Sequence, residues 1–286
     1  MVRDGSRSLG RADADADARL SSRGSLGWTI RAKLIGPALI HFGNGIVRAS
    51  VLMTVYNCQS YLKAAVDSAL SQASEEFEVV VIDDGSTDLT RQILDDFEDP
   101  RLMVVQCERM GRARALNFGL ARCASSYVAI LDADDVALPH RLHSQIAYLD
   151  ANADVALVGS RYRPFVDKDG TSISEDIFPL EFSEIAYELR QFRCPLFHSS
   201  IMFRKETIRD VGGYDESLAT SEDWDLYVRL ALAARMPIAN IDQRLSLKRI
   251  HSKQFFWGAE GAQFSAAGQR STMTVRGRIS DLLKSP

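Results

Sequence analysis

The chain lacks a paired-cysteine motif, a long apolar run and a glycine-rich phosphate loop, and each absence narrows what it can be. Its four cysteines, Cys58, Cys107, Cys123 and Cys194, show neither CxxC nor zinc-ligand spacing. Idle thiols in a reducing compartment are expected, with no disulfide framework or zinc site. No stretch supplies the roughly 20 apolar residues that a membrane-spanning helix needs. The best candidate, Trp28 to Val47, is interrupted by Arg31, Lys33, Pro37 and His41. The first 25 residues are polar and without an apolar core, so a signal peptide is not expected. No strong excess of positive charge marks a nucleic-acid partner: the 286 residues carry 34 Lys/Arg against 38 Asp/Glu, a net charge of −4. Neither GxGxxG nor a Walker loop is present to hold phosphates through backbone amides.

What is present is uneven along the chain. Residues 1–48 hold eight Lys/Arg and four Asp, leaving 26 basic and 34 acidic residues beyond them. Residues 1–25, rich in Arg, Asp, Ser and Gly, bury too little apolar surface to offset ordering entropy. Residues 1–48 are therefore expected to be a disordered or weakly structured basic extension, with peripheral membrane contact as one use for it. From Ser50 the pattern becomes regular. Apolar strands at 50–56, 77–83, 101–106 and 127–132 alternate with helices at 60–72, 88–97, 111–123 and 139–152. Apolar strands alternating with helices of about a dozen residues indicate a parallel sheet covered on both faces. The second half is less regular. A hairpin is expected from 155–167 and the segment after the DKDG turn, helices over 181–192, 205–214 and 222–234, and a strand over 198–204.

Polar residues gather at the carboxyl ends of these strands, where an open parallel sheet binds its ligands. The first strand ends in Thr54, Tyr56 and Asn57, the second in Asp83, Asp84, Gly85 and Ser86, and the fourth in VAILDADDV, with Asp132, Asp134 and Asp135 inside four positions. Turn formation alone would use the same residue types, but three such sites along one sheet edge describe one crevice. Carboxylates this close stay ionised together only beside a cation, unless one takes a proton. A hard divalent ion, Mn²⁺ or Mg²⁺, held by one or two carboxylates and completed by substrate phosphates, satisfies that demand.

With these residues in view, the chain resembles the family 2 glycosyltransferases. The resemblance covers about Ser50 to Gln254 and rests on SVLMTVYN, VVVIDDGSTD, GRARALNFG, ILDADD, HSSIMFR, VGGYDE, SEDWDLYVRL and RIHSKQ, in that order. It implies an α/β fold of the GT-A type, a Rossmann-like, doubly wound, mostly parallel sheet with a smaller acceptor-side α+β half. The implied boundaries are 49–136 for the nucleotide-sugar half, 137–255 for the acceptor half and 256–286 for a tail. It further implies that Thr54, Tyr56, Asn57 and Asp83, with Ser86, hold the nucleotide, that Asp132 approaches the ribose, and that Arg112 meets a phosphate. Asp134, with His251, would take the metal. Asp223 would be the catalytic base, with Glu222 beside it. The implied activity is a metal-dependent, inverting transfer from a nucleotide sugar, UDP-linked by expectation, to a carbohydrate or lipid-linked acceptor. Synthesis of a surface polysaccharide or glycolipid, in the cytoplasm or at the inner face of its membrane, is the expected setting.

Three bland readings stand beside these. Asp223 can be a helix-capping acid, His251 a packing histidine, and His198 a structural residue in the apolar CPLFHSS. DADDV also matches the nucleophile motif of haloacid-dehalogenase-like phosphatases, although that motif normally follows the first strand. A non-catalytic nucleotide-binding domain is the remaining alternative, because only 35 residues follow His251. The oligomeric state is left open.

Overall fold

The computed structural model describes residues 19–23, 29–35, 47–73, 76–166, 177–251 and 266–284. In chain order the elements are β1 (Arg19–Arg23), β2 (Thr29–Ile35), β3 (Ala49–Val55), α1 (Leu62–Leu70), β4 (Phe77–Asp84), α2 (Thr90–Asp95), β5 (Leu102–Cys107) and α3 (Arg112–Leu120). There follow β6 (Tyr127–Ile130), β7 (Val136–Ala137), α4 (Arg141–Ala151), β8 (Leu157–Phe165), α5 (Phe182–Arg190), β9 (Met202–Arg204), α6 (Lys205–Asp210), α7 (Glu222–Val228), β10 (Ile238–Arg249) and α8 (Ala266–Lys284). One sheet joins the strands in the order β1-β2-β5-β4-β3-β6-β9-β8-β10-β7.

The nucleotide-side half, β5-β4-β3-β6, is wholly parallel, and apolar residues on both faces explain why. In β3, Leu52 packs into one core with α3, α5, α7 and α8, whereas Val51 and Met53 pack into another with α1, α2 and α4. All three are 2% exposed or less. A parallel strand buried on both faces loses the alternation of an exposed one and reads as a continuous apolar run. Truncating Leu52 to Ala would cost about 2–5 kcal/mol. Beyond β6 the sheet turns mixed: β9 runs antiparallel to both β6 and β8, and β10 pairs parallel with β8. The change in direction beside β6 places the carboxyl ends of β3, β4 and β6 at one open edge.

The described elements depart from the expected ones, or add to them, in several places. Among the N-terminal residues, 19–23 and 29–35 form strands, and β2 pairs antiparallel with β5; an unpaired edge of β5 offers the backbone groups that such a segment can satisfy. Residues 1–18 lie outside the described residues. The expected partner of the 155–167 strand would begin at 167–176, also outside them, and the partners observed for β8 are β9 and β10. The strand expected over 198–204 begins as a 3-10 turn at His198–Ser200. The twelve-residue β10 was not anticipated, because its exposed Asp242, Gln243 and Arg244 break the apolar pattern at a register shift. The tail likewise contains α8, whose Val275 and Ile279 are fully buried in the first core.

Candidate active site

A cleft of about 780 Å³ opens at the carboxyl ends of β3, β4 and β6. The loop after β3 forms one wall, and its shape depends on Asn57, whose φ of 51° lies in the left-handed region that Asn tolerates better than most residues. The Asn57 amide N–H donates to Ser86 Oγ at 3.0 Å, and the Thr87 amide N–H donates to Asn57 Oδ1 at 2.7 Å. The loops after β3 and β4 are thereby tied together. Thr54, Tyr56 and Asn57 line the cleft; Ser86 lies beneath it as their anchor.

The two acids of IDDGS take opposite roles. Successive strand residues point to opposite faces. Asp83 has no exposure, accepts the Ser86 amide N–H at 2.9 Å, and accepts Arg91 Nε at 3.0 Å. It supports the loop from below and is not among the cleft walls, contrary to its expected position. Asp84 lines the cleft instead. It accepts the Met110 and Gly111 amide N–H groups at 2.7 and 3.1 Å and pairs with Arg109, whose guanidinium lies 3.8 Å from the Tyr56 ring centroid. The sequence placed Asp84 at the crevice without giving it a role, and Arg109 was not anticipated. The strand alternation already allowed only one of the paired acids to face the ligand.

Asp132, Asp134 and Asp135 hold carboxylate oxygens within 4.8 Å of one another, and the structure gives each a different environment. The Asp132 amide N–H donates to Ser199 Oγ at 2.9 Å, and its side chain accepts Arg112 Nη2 at 2.7 Å. Burial raises its pKa, but the charges of Arg112 and His198 and the Arg112 hydrogen bond more than reverse this, holding it below the usual carboxylate value. Asp135 accepts the Arg249 amide N–H at 2.9 Å. Burial, together with the charges of Asp134 and Asp132, pushes its carboxyl well above the ordinary range. Asp134 lies 3.1 Å from His251 Nε2, and His251 packs on the Tyr61 ring at 4.3 Å between centroids. Beneath the cluster, the buried Arg141 donates to the carbonyl oxygens of Ile130, Ser199 and Ile201. The crowding is tolerable because one acid is paired, one is biased to its neutral form and one faces an imidazole. Carboxylate oxygens with a single imidazole nitrogen suit Mn²⁺ or Mg²⁺, with Asp134 and His251 as the converging donors.

Arg112 joins this cluster to the start of α7. Besides Asp132 it contacts Glu222 Oε1 at 2.8 Å and His198 Nδ1 at 3.1 Å. A guanidinium only donates, so His198 Nδ1 accepts and Nε2 carries the proton, which is shared with the Tyr214 hydroxyl at 3.0 Å. Burial and the Arg112 charge push the His198 pKa down to about 4. Glu222 moves the other way: burial raises it to about 7, with Asp223 adding to the rise and Arg112 opposing it. Glu222 and Asp223 open α7 directly after Ser221, whose φ of 61° is left-handed. They follow the cleft wall formed by Leu218, Ala219 and Thr220 without lining it themselves. Asp223 Oδ1 accepts the Trp224 amide N–H at 2.7 Å, and its charge reaches Arg112, His198 and Tyr214. The helix continues as a π-helical turn at Arg229–Ala233, a feature common near functional sites.

A parallel α/β half ending in an acidic cleft, joined to a mixed half that brings in an acidic helix start, defines a GT-A glycosyltransferase fold. Residues 50–212 match the model described as Glycosyl transferase family 2, and the chain belongs to that family. It is 31% identical over 208 residues to the O-antigen biosynthesis glycosyltransferase WbnJ of Escherichia coli, covering 71% of this chain and 80% of WbnJ. An uncharacterized glycosyltransferase of Methanocaldococcus jannaschii, MJ1057, is 30% identical over 191 residues, which are 63% of either chain. The fold is similar to that of S. aureus TarS in complex with UDP-GlcNAc, with a TM-score of 0.66 and 21% identity, covering 82% of this chain and 66% of that one. It is also similar to the mannosyltransferase PcManGT of Pyrobaculum calidifontis in complex with GDP-Man and Mn²⁺, with a TM-score of 0.57 and 17% identity, covering 85% and 77%.

Proposed function

We propose that the chain transfers a sugar, with inversion, from a nucleotide donor to an acceptor hydroxyl during synthesis of a surface polysaccharide or glycolipid. One observation carries the reading. The Asp134–His251 and Asp132–Arg112 pairs line one cleft, and Arg112 ties it to Glu222 at the start of α7, so that it can receive a diphosphate on one side and a reacting sugar on the other. Tyr56 and Arg109 form the wall for the base, with Asp84 as its anchor and Thr54 and Asn57 beside it. Asp83 and Ser86 support that wall. Asp132 faces the ribose, and Arg112 carries positive charge toward the phosphates.

Asp134 and His251 would hold Mn²⁺ or Mg²⁺, which stabilises charge on a departing diphosphate. Asp223 takes the proton as the acceptor oxygen bonds to the anomeric carbon, and the bond from that carbon to the diphosphate oxygen breaks with its electron pair. A single displacement inverts the carbon. Position at the helix N-terminus favours the Asp223 anion. UDP is the nucleotide we assign, supported by the likeness to TarS, and relatives such as WbnJ support the polysaccharide setting. Among the described residues no helix is long and apolar enough to cross a membrane; a cytoplasmic site of action, with contact at the membrane surface, fits the reading. The test is calorimetric titration with UDP and Mn²⁺, then transfer across a panel of nucleotide sugars. Binding that is lost in Asp134→Ala is expected, and Asp223→Asn should bind yet not transfer. No binding of any nucleoside diphosphate with Mn²⁺ would reject the reading. Binding without turnover would favour the non-catalytic alternative.

A further inference from the structure

The segment from Leu218 to Asp223 is held from behind by α8. Leu218, Ala219 and Thr220 line the cleft, and Ser271 of α8 bonds to the same stretch of backbone. The Ser271 hydroxyl donates to the Ala267 carbonyl at 3.1 Å, which leaves its lone pairs for the loop. It accepts the Ala219 amide N–H at 2.9 Å, with the Thr220 amide N–H at 3.4 Å. Ser271 is 4% exposed and Thr220 1%, so no bulk water replaces this acceptor. Directly after these amides stands Ser221, with its φ of 61°. A serine at a helix N-cap ordinarily holds an extended backbone and turns its hydroxyl onto its own helix. Ser221 does neither: it makes no side-chain cap, and its Oγ lies 3.4 Å from Thr272 Oγ1 of α8. Its carbonyl accepts the Asp225 amide N–H at 3.0 Å, so its backbone conformation sets where α7 begins.

A left-handed serine is costly, and it persists only where the surroundings enforce it. Here the enforcing contacts come from α8. Arg278 adds to those of Ser271 by pairing with Asp215 and Asp225, on either side of the segment. Val275 and Ile279 seat the helix in the first core. Asp223 stands two residues beyond Ser221 and follows any rotation there. We propose that Ser271 is a positioning residue for the transfer: by holding the Ala219 and Thr220 amides it keeps Ser221 left-handed and Asp223 in place for the reacting sugar. The family match ends at residue 212, before all of these residues. The proposal rests on the glycosyltransferase reading, with Asp223 as base, and deepens it by giving that base a support from the C-terminal helix. A base misplaced by about 1 Å can cost on the order of a hundredfold in rate.

The experiment uses the full chain with Ser271→Ala, Val275→Ala, Ser221→Gly and the double variant of Ser271→Ala with Ser221→Gly. Ser271→Ala should lower kcat about tenfold and leave the affinity for UDP with Mn²⁺ within about twofold. Affinity is spared because Tyr56, Asp84 and Arg109 belong to the ends of β3, β4 and β5. Unchanged kcat overturns the proposal. Val275→Ala loosens the same helix without touching the loop, so it should lower the melting temperature and spare kcat. If it costs as much kcat as Ser271→Ala does, Ser271 is a packing residue and the proposal is overturned. Glycine adopts a φ of about +60° without strain, so in the Ser221→Gly background Ser271→Ala should cost about twofold or less. Additive losses overturn the proposal. Hydrogen exchange needs no substrate: the amides of residues 219–225 should exchange about tenfold faster in Ser271→Ala. Unchanged exchange there overturns the proposal as well. If the unaltered chain turns over no nucleotide sugar, the glycosyltransferase reading fails, and exchange still decides whether Ser271 holds the segment.

Discussion

The guanidinium of Arg112 lies 2.8 Å from the carboxylate of Glu222, and the same side chain donates to Asp132 at 2.7 Å. One residue of α3 thus neutralises an acid at the end of β6 and another at the start of α7. Removing it strands two carboxylates. Arg112→Met should destabilise the protein by about 3 kcal/mol, read from urea unfolding. Arg112→Lys should recover only part of this, because an ammonium cannot reproduce a fork that serves Asp132, Glu222 and His198 together.

Glu222 gives a pH dependence with a definite sign. Its pKa rises from an ordinary 4.5 to about 7 in the folded chain, first through burial. The folded state therefore holds a proton that the unfolded state has lost between these values, and the stability from this group is present below pH 4.5 and disappears as pH rises through 7. Asp223, Asp132 and Arg112 are the charges that act on it. In Glu222→Gln this loss is absent. The stability of the variant relative to the parent should climb between pH 4.5 and 7 by something on the order of 3 kcal/mol, measured by denaturant unfolding across that range.

Gly85 should not tolerate a side chain. Its φ is +77°, and a Cβ there would sit 2.6 Å from the Arg109 amide nitrogen. Gly85→Ala should cost about 2–4 kcal/mol from backbone strain and overpacking. The displaced segment, Arg109 to Gly111, is the one that Asp84 holds against the cleft. UDP affinity should therefore fall well beyond what Leu52→Ala causes, and equal affinities by calorimetry would refute the coupling.

Arg278 fastens α8 to the loop ahead of α7. It pairs with Asp215 and with Asp225, which is fully buried and otherwise held by Arg229 at 2.7 Å. Ser271 on the same helix accepts the Ala219 amide N–H at 2.9 Å. Arg278→Met should lower stability by about 2 kcal/mol and speed proteolytic cleavage near residues 266–284.

The parallel half was legible because its strands are apolar on both faces and bounded by residues that turn. A continuous apolar run such as Val79 to Ile82 admits few readings once helices of matching length separate it from its neighbours. β10 was hidden, since its exposed middle, Asp242 to Arg244, carries the polarity of a loop. The acidic cluster stood out in sequence, yet its division of labour did not. Asp132, Asp134 and Asp135 differ little as letters. Their differences come from Arg112, His251 and Arg249, which arrive from α3 and from the far end of the sheet.

The sequence by itself determined the alternation of strands and helices, the sheet edge at which polar residues gather, and the family to which the motifs belong. These follow from local periodicity and from residue types at short spacing. Only the tertiary structure decided that Asp84 and not Asp83 faces the cleft and that Arg112 bridges two acids. Each depends on which groups are packed together out of water, where burial and neighbouring charge, more than residue type, set what a side chain can bind.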